Sequence, residues 1–203
     1  GGMIAPLVAL EDKDVAFLVL MAAPGIKGEE ILYAQGKKII QLMDLPQDVA
    51  ENEISLQKAL LSILKTEDDY EKSKYFLIKA MEESRGRELV PQEIAAISSM
   101  NSPWYRYFIY HDSSKVLEKI KIPVLAINGS LDCQVLPEQN LQAIERALKQ
   151  ASNQDFSIVE LPSLNHLFQT CTTGSIEEYA QIEETISPTV LKLIGDWILE
   201  RTK

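Results

Sequence analysis

The chain has 203 residues, of which 46% are hydrophobic and 25% charged, a balance typical of a folded globular protein rather than a disordered one. Its 20 basic and 30 acidic side chains give a formal net charge of −10. That charge argues against a nucleic-acid partner, because such proteins need a basic face to neutralise phosphates. The longest apolar run, residues 15–24, is about half the length of a membrane-spanning helix, so no membrane span is expected.

The first two predicted elements are a helix and a strand. Small apolar residues over 4–10 indicate a buried helix, which ends at the charged residues 11–14. Val15–Met21 is then a continuous apolar run that stops before Pro24 and Gly25. Because the run lacks alternation, it predicts a strand covered on both faces, as in a parallel sheet.

The next segment differs in kind, because it shows helical spacing and no convincing strand. Leu56, Leu60, Ile63 and Leu64 recur at helical intervals. Within the segment, the acidic residues 67–69 are expected to begin a helix, where negative charge is favourable. We therefore predict an all-helical insertion over residues 27–120.

Two further apolar strands are predicted at residues 122–127 and 156–161. The helix between them is expected to begin near Pro137, and it carries four apolar residues at helical spacing: Leu141, Ile144, Ala147 and Leu148. A last helix is expected to begin at Ser187-Pro188 and to place five residues on one face: Val190, Leu191, Ile194, Trp197 and Ile198.

Apolar strands that alternate with helices indicate an α/β protein. We predict about three parallel strands with flanking helices and an all-helical insertion. The core is expected to comprise residues 1–26 and 121–203, and the insertion residues 27–120.

The candidate acid–base pair follows two of these strands. The chain has only two histidines, and His166 lies just beyond the strand at 156–161. Asp132 follows the strand at 122–127 in the same way. Since the carboxyl ends of parallel strands meet at one edge of a sheet, Asp132 could orient the His166 imidazole. The functional interpretation is the acid and base of a nucleophilic triad. The alternative is a turn aspartate and an unrelated loop histidine.

The chain contains no Gly-x-Ser-x-Gly motif, in which a serine nucleophile lies on a sharp strand-to-helix turn. Gly1-Gly2 directly precedes the first apolar helix, as the end of such a motif would. The alternative is two glycines left from a tag ahead of Met3. Ser130 and Ser163 are disfavoured as substitutes, because neither lies on a strand–glycine turn.

Several segments resemble the cap-bearing, esterase-like group of the α/β-hydrolase superfamily. They cover nearly the whole chain: Gly1-Gly2-Met3-Ile4-Ala5-Pro6, Ala22-Ala23-Pro24-Gly25, Ser102-Pro103-Trp104-Tyr105-Arg106-Tyr107-Phe108, residues 123–132, Leu164-Asn165-His166-Leu167-Phe168-Gln169 and residues 182–188. The segments around Asp132 and His166 are specific, whereas Gly1-Gly2 alone is weak. The resemblance implies a partial α/β-hydrolase fold, truncated just after the serine turn, with residues 27–120 as its cap.

The resemblance also implies a function. Asp132 matches the family acid and His166 the family base, while the serine would lie two positions before Gly1. The expected activity is hydrolysis of carboxylic esters by a Ser-His-Asp mechanism in the full-length protein, without a metal or organic cofactor. The chain alone is expected to be inactive. A peptidase or thioesterase on the same fold remains open, as does a non-catalytic binding module.

An aromatic cluster lies in the expected cap: Trp104, Tyr105, Tyr107 and Phe108. Its side chains could line an apolar pocket for an acyl-ester substrate. They could equally form the junction between the insertion and the sheet, and the two interpretations are compatible.

The remaining polar residues are given structural interpretations. Cys133 and Cys171 are expected to be free thiols. His111 is expected to cap a helix or lie on the surface. Acidic residues at 177–178 and 183–184 fit a solvated face better than a metal site, because no ligand spacing supports a metal.

The strand Val15–Met21 has a further consequence. In the family it would pair with the strand that carries the nucleophile, which is absent here. A long apolar strand with a free edge tends to pair with another chain. We therefore expect a homodimer through that edge, or binding of a complementary segment.

Overall fold

The computed structural model describes residues 1–202, which divide into two compact units. One comprises Gly1–Lys27 and the chain from Asp112 onwards, and the other is Gly28–His111. The predicted insertion, 27–120, ends nine residues later in the chain than the helical part of the structure does. Residues 112–120 lie with the sheet because Leu117 and Ile120 are buried among the apolar side chains of that unit's core. We call the two parts the sheet unit and the helical unit.

The helices of both units, in chain order, are α1 Ile4–Glu11, α2 Gly28–Leu42, α3 Gln47–Thr66, α4 Tyr70–Arg85, α5 Pro91–Met100, α6 Pro103–Tyr110, α7 Ser113–Leu117, α8 Pro137–Gln150 and α9 Pro188–Arg201. The strands are β1 Leu18–Met21, β2 Val124–Gly129 and β3 Phe156–Leu161, and a 3₁₀ helix spans Ile176–Gln181. No helix within residues 1–202 is both long and apolar enough to cross a membrane.

The sheet unit confirms the predicted α/β class. Its three strands are parallel in the order β1-β2-β3, with Leu20 opposite Ala126 and Ala126 opposite Ile158. Every residue of the central strand β2 is buried. Alternate β2 side chains face two separate apolar clusters, one that includes α8 and one that includes α9. A helix therefore covers each face of the sheet.

The outer strands differ from the prediction in length and burial. β1 begins at Leu18 rather than Val15, because Leu18 already pairs with the first residue of β2 and earlier residues have no partner there. β2 begins at Val124, since Pro123 has no N–H to donate to a ladder. The predicted two-sided burial of β1 is wrong at Met21, which is 37% exposed. β3 is mostly half-buried.

Two predicted helix faces also need correction. In α1 only Pro6 is buried, and Ile4, Val8 and Leu10 are exposed, because the helix contacts the core mainly through small alanines. In α9, Val190 and Trp197 are buried, but Leu191, which was predicted to lie on the same face, is 55% exposed. In α8, by contrast, all four predicted apolar residues are buried.

The helical unit has its own core and no strand within residues 28–111. Leu64, Leu77 and Ile97 are fully buried there. The Asp69 side chain accepts a hydrogen bond from Lys72 N at 2.8 Å, so the acidic segment begins α4 as predicted. The Arg106 guanidinium binds Leu64 O at 2.8 Å and Asn101 Oδ1 at 2.8 Å, which ties α6 to α3 and to the end of α5.

Gly129, the last residue of β2, allows the loop after β3 to pass very close to it. A Cβ at this position would lie 2.2 Å from Leu164 O. A Cβ at Gly195, in the middle of α9, would have no atom within 4 Å apart from its chain neighbours and the backbone of its own helix. The two glycines therefore differ in what an added methyl group would meet.

We expect Gly129→Ala to lower the free energy of unfolding by roughly 2–4 kcal/mol, because backbone must move to relieve the overlap. The matched substitution Gly195→Ala should raise it by about 0.5–1 kcal/mol, through helix propensity. Urea unfolding of both variants beside the wild type measures the difference. Equal effects would contradict the close approach at Gly129.

Candidate functional site

Three loops follow the carboxyl ends of the strands and lie at one edge of the sheet, since the strands are parallel. The first, after β1, turns through Ala22, whose φ of 46° is in the left-handed region. The second contains Asp132, and the third turns through Ser163 with a φ of 58° and contains His166. Positive φ at non-glycine residues costs energy and is often found where function constrains a turn.

The loop after β2 fixes the Asp132 carboxylate in a buried position. Asp132 is 1% exposed. Its Oδ1 accepts hydrogen bonds from Gln134 N at 2.8 Å and Val135 N at 2.9 Å. Asn128 Nδ2 donates to Val135 O at 2.7 Å and braces the same turn. The second carboxylate oxygen, Oδ2, is left for another donor.

The loop after β3 is closed around Asn165. Asn165 Oδ1 accepts from Leu167 N at 2.9 Å and Gln169 N at 3.0 Å, while Nδ2 donates to Gln169 Oε1 at 2.9 Å. Phe168 has a φ of 61° and is buried beneath the turn. His166 therefore projects from a short turn whose backbone is held on both sides by one amide side chain.

The two loops are joined by hydrogen bonds that bring Asp132 and His166 together. Leu131 N donates to Leu164 O at 3.0 Å, and Ser163 N donates to Ser130 Oγ at 2.9 Å. His166 Nδ1 lies 2.8 Å from Asp132 Oδ2. The imidazole is 27% exposed, whereas the carboxylate side chain is fully buried. Within residues 1–202, His166 Nε2 makes no hydrogen bond.

This geometry fixes the chemistry that the pair can perform. A carboxylate only accepts hydrogen bonds when ionised, so the neutral imidazole must carry its proton on Nδ1. Nε2 then carries a lone pair that can accept a proton from a nucleophile. An imidazole held in this way can therefore act as a general base towards a group placed at Nε2.

The 3₁₀ helix is joined to the Asp132 loop by a hydrogen bond between side chains. Gln134 Nε2 donates to the Tyr179 hydroxyl at 3.1 Å. Burial, together with the nearby Cys133 and Asp132, raises the pKa of Tyr179 to about 12. The phenol therefore stays neutral beside the carboxylate at ordinary pH and adds no second negative charge.

Neither Cys133 nor Cys171 is in a disulfide, as predicted. Cys133 is buried beside Asp132, and burial raises the pKa of the Cys171 thiol. A raised pKa keeps the thiol protonated, so the charge state of Cys171 does not suit a nucleophile.

The four aromatic residues assigned to substrate binding do not share one surface. Tyr105 and Phe108 pack against the core of the helical unit, and burial raises the pKa of Tyr105. Trp104 and Tyr107 are 57% and 47% exposed, and their rings stack with centroids 6.2 Å apart. Only this pair is exposed, because the helical period turns positions 105 and 108 inward.

The other candidates have structural roles. His111 caps the end of α6, and its ring lies 5.5 Å from that of Tyr107. The Glu178 carboxylate accepts from Gly174 N at 2.9 Å and holds a loop rather than facing water only. Ser130 Oγ is engaged by Ser163 N and does not reach His166. Among residues 1–202, no group of three or more His, Cys, Asp and Glu side chains is placed to hold a metal.

Comparisons with known proteins give no match for this chain, either among models of protein families or among curated proteins. The contacts of Asp132 and His166 are therefore the observations on which a functional proposal can be built.

We expect neutral His166 to carry its proton on Nδ1 in the wild type, and on Nε2 in Asp132→Asn, where an amide N–H can face Nδ1. Two-bond ¹H–¹⁵N NMR spectra distinguish the two tautomers, and with two histidines in the chain His111→Gln assigns the signals. Asp155→Asn, at an aspartate bound to Arg201 in α9, is the matched control and should leave the tautomer unchanged. An Nε2-protonated wild type would contradict the geometry.

Proposed function

We propose that the chain is the C-terminal portion of an α/β-hydrolase that hydrolyses carboxylic esters, with His166 as general base and Asp132 as the acid that orients it. The observation that carries the proposal is the 2.8 Å contact between His166 Nδ1 and the buried Asp132 carboxylate at the carboxyl ends of parallel strands. The family segments quoted above support the same interpretation.

In the proposed reaction a serine hydroxyl attacks the ester carbonyl and His166 Nε2 takes its proton. The imidazolium is stabilised by Asp132, whose charge lies against Nδ1–H. His166 then returns the proton to the departing alkoxide, which leaves an acyl-enzyme. A water molecule attacks the acyl-enzyme, His166 takes the proton of that water and passes it to the serine oxygen, and the acid product is released. Asp132 keeps its negative charge throughout.

We further propose that the serine and the oxyanion hole come from residues outside these 203. No Gly-x-Ser-x-Gly motif occurs in the chain. No serine among residues 1–202 hydrogen-bonds to His166. On this proposal the 203-residue chain is inactive alone, because a base without a nucleophile or an oxyanion hole has nothing to activate.

Of the four aromatic residues predicted to bind substrate, Trp104 and Tyr107 are the two that are exposed on the helical unit. Their stacked rings can contact an apolar or aromatic group. Tyr105 and Phe108 support them from the core of the helical unit.

We expect the 203-residue chain to leave p-nitrophenyl acetate unhydrolysed, and a form extended upstream through the serine motif to hydrolyse it. In the extended form, Asp132→Asn should lower kcat by about 10⁴ and His166→Ala by at least ~10³, because the base is misoriented or lost. Initial-rate kinetics measure both effects.

His111→Gln in the same extended form is the matched histidine control and should keep the activity within a few-fold of the wild type. If the extended form is inert with Asp132 and His166 intact, the enzyme proposal fails and a non-catalytic binding module is favoured. If activity survives His166→Ala, another residue is the base.

We also propose that the isolated chain associates with a second copy through the β1 edge. Among residues 1–202, β1 has a strand neighbour on one side only. Helix α1, which contacts β1, exposes Ile4, Val8 and Leu10. An open strand edge beside exposed apolar side chains favours pairing with another chain.

We expect the chain to associate as its concentration rises, and Met21→Lys to weaken this, because a charge on an edge strand opposes pairing. Leu199→Lys, at an exposed leucine of α9, is the control and should not change it. Light scattering over a concentration series measures the mass. A monomer at all concentrations would contradict the proposal.

A further inference from the structure

The helical unit contains a cavity of about 510 Å³ whose wall includes the end of α2 and the start of α3. A second cavity, of about 230 Å³, lies against α3 and α4. The two share three lining residues: Glu53, Gln57 and Arg85. The combined volume is in the range of pockets that hold small molecules, which are about 300–1,000 Å³.

The wall of the larger cavity is aliphatic. It is formed by five side chains at the turn between the helices: Ile39, Ile40, Met43, Leu45 and Val49. Met43 is 54% exposed and Val49 40% exposed, so the wall is open to solvent. Contiguous exposed aliphatic surface in a concave site is characteristic of a surface that binds an apolar group.

The shared residues place polar groups where the two cavities meet. Arg85 and Glu53 form a two-point ion pair, with Nη2 to Oε2 at 3.2 Å. Gln57 Nε2 donates to Leu32 O at 2.8 Å, and within residues 1–202 its Oε1 accepts no hydrogen bond. Gly36 makes room for this amide, since a Cβ there would lie 2.1 Å from Gln57 Nε2.

We propose that this cavity binds a neutral amphiphile, an unbranched alkyl chain that ends in a hydroxyl group. The alkyl chain would contact the aliphatic wall. The hydroxyl can donate to Gln57 Oε1 and accept from a guanidinium N–H of Arg85, which retains donors beyond the two bound to Glu53. The site belongs to the helical unit alone and does not depend on the proposed hydrolase activity.

The charge balance selects a neutral head group over a charged one. Glu53 already neutralises Arg85, so an added carboxylate would bring an uncompensated negative charge beside Glu53. An ammonium group would be repelled by the guanidinium of Arg85, because both groups are positively charged. If only the aliphatic wall contributed to binding, a hydroxyl, a carboxylate and an ammonium head group would give equal affinities. The order of the three affinities therefore tests the role of the polar residues.

The experiment titrates the 203-residue chain with octan-1-ol, octanoate and octylamine, which share one chain length. Methyl NMR signals of Met43 and Ile40 report occupancy, because both side chains line the cavity. We expect saturable shifts with octan-1-ol and at least about tenfold weaker binding of the two charged probes. No saturable shift up to the solubility limit of octan-1-ol would overturn the proposal.

Val49→Trp should fill the cavity and weaken octan-1-ol binding at least about tenfold. Val90→Trp is the matched control, because Val90 is 47% exposed and lies outside the cavity lining, and it should leave binding unchanged. Gln57→Leu should lower the affinity for octan-1-ol several-fold and reduce the ratio of the octan-1-ol affinity to the octanoate affinity. Equal binding of all three probes, or equal loss in both tryptophan variants, would overturn the assignment.

Discussion

The buried carboxylate of Asp132 is the constraint that organises the edge of the sheet. An ionised carboxylate removed from water costs several kcal/mol unless hydrogen bonds replace its hydration. Two backbone N–H groups and the His166 imidazole replace it here, and each demands a particular loop conformation. The tight turn after β2 and the closed turn around Asn165 are both consequences of that demand.

Much of this could be predicted from the sequence, because the signals are local. β3 has the predicted bounds, and α8 buries the predicted residues, since helical spacing and strand runs are read from neighbouring positions. The pairing of Asp132 with His166 followed from one topological rule, that parallel strands end at one edge. The start of β1 could not be predicted, because it depends on the register with β2.

The supporting contacts lay beyond sequence reasoning for a different reason. Gln134 and Tyr179 are 45 positions apart, and no pattern in either segment marks them as partners. In the turn around Asn165, the side-chain amides of Asn165 and Gln169 are hydrogen-bonded. Their spacing of four residues predicts such a turn only once the end of β3 is known. The split of the aromatic cluster likewise depended on which side of α6 faces the helical core.

The close approach at Gly129 also bears on motion. Leu164 O would lie 2.2 Å from any Cβ at Gly129, and the loops on either side are tied by Leu131 N and Ser163 N. Because the two loops touch at Gly129 and are joined by two hydrogen bonds, they are expected to move together. Thermal motion at this edge of the sheet is then expected to change the distance between Asp132 and His166 very little. A third group carried by another segment is not held by these contacts. Its distance to His166 Nε2 is therefore expected to vary more than the distance between Asp132 and His166.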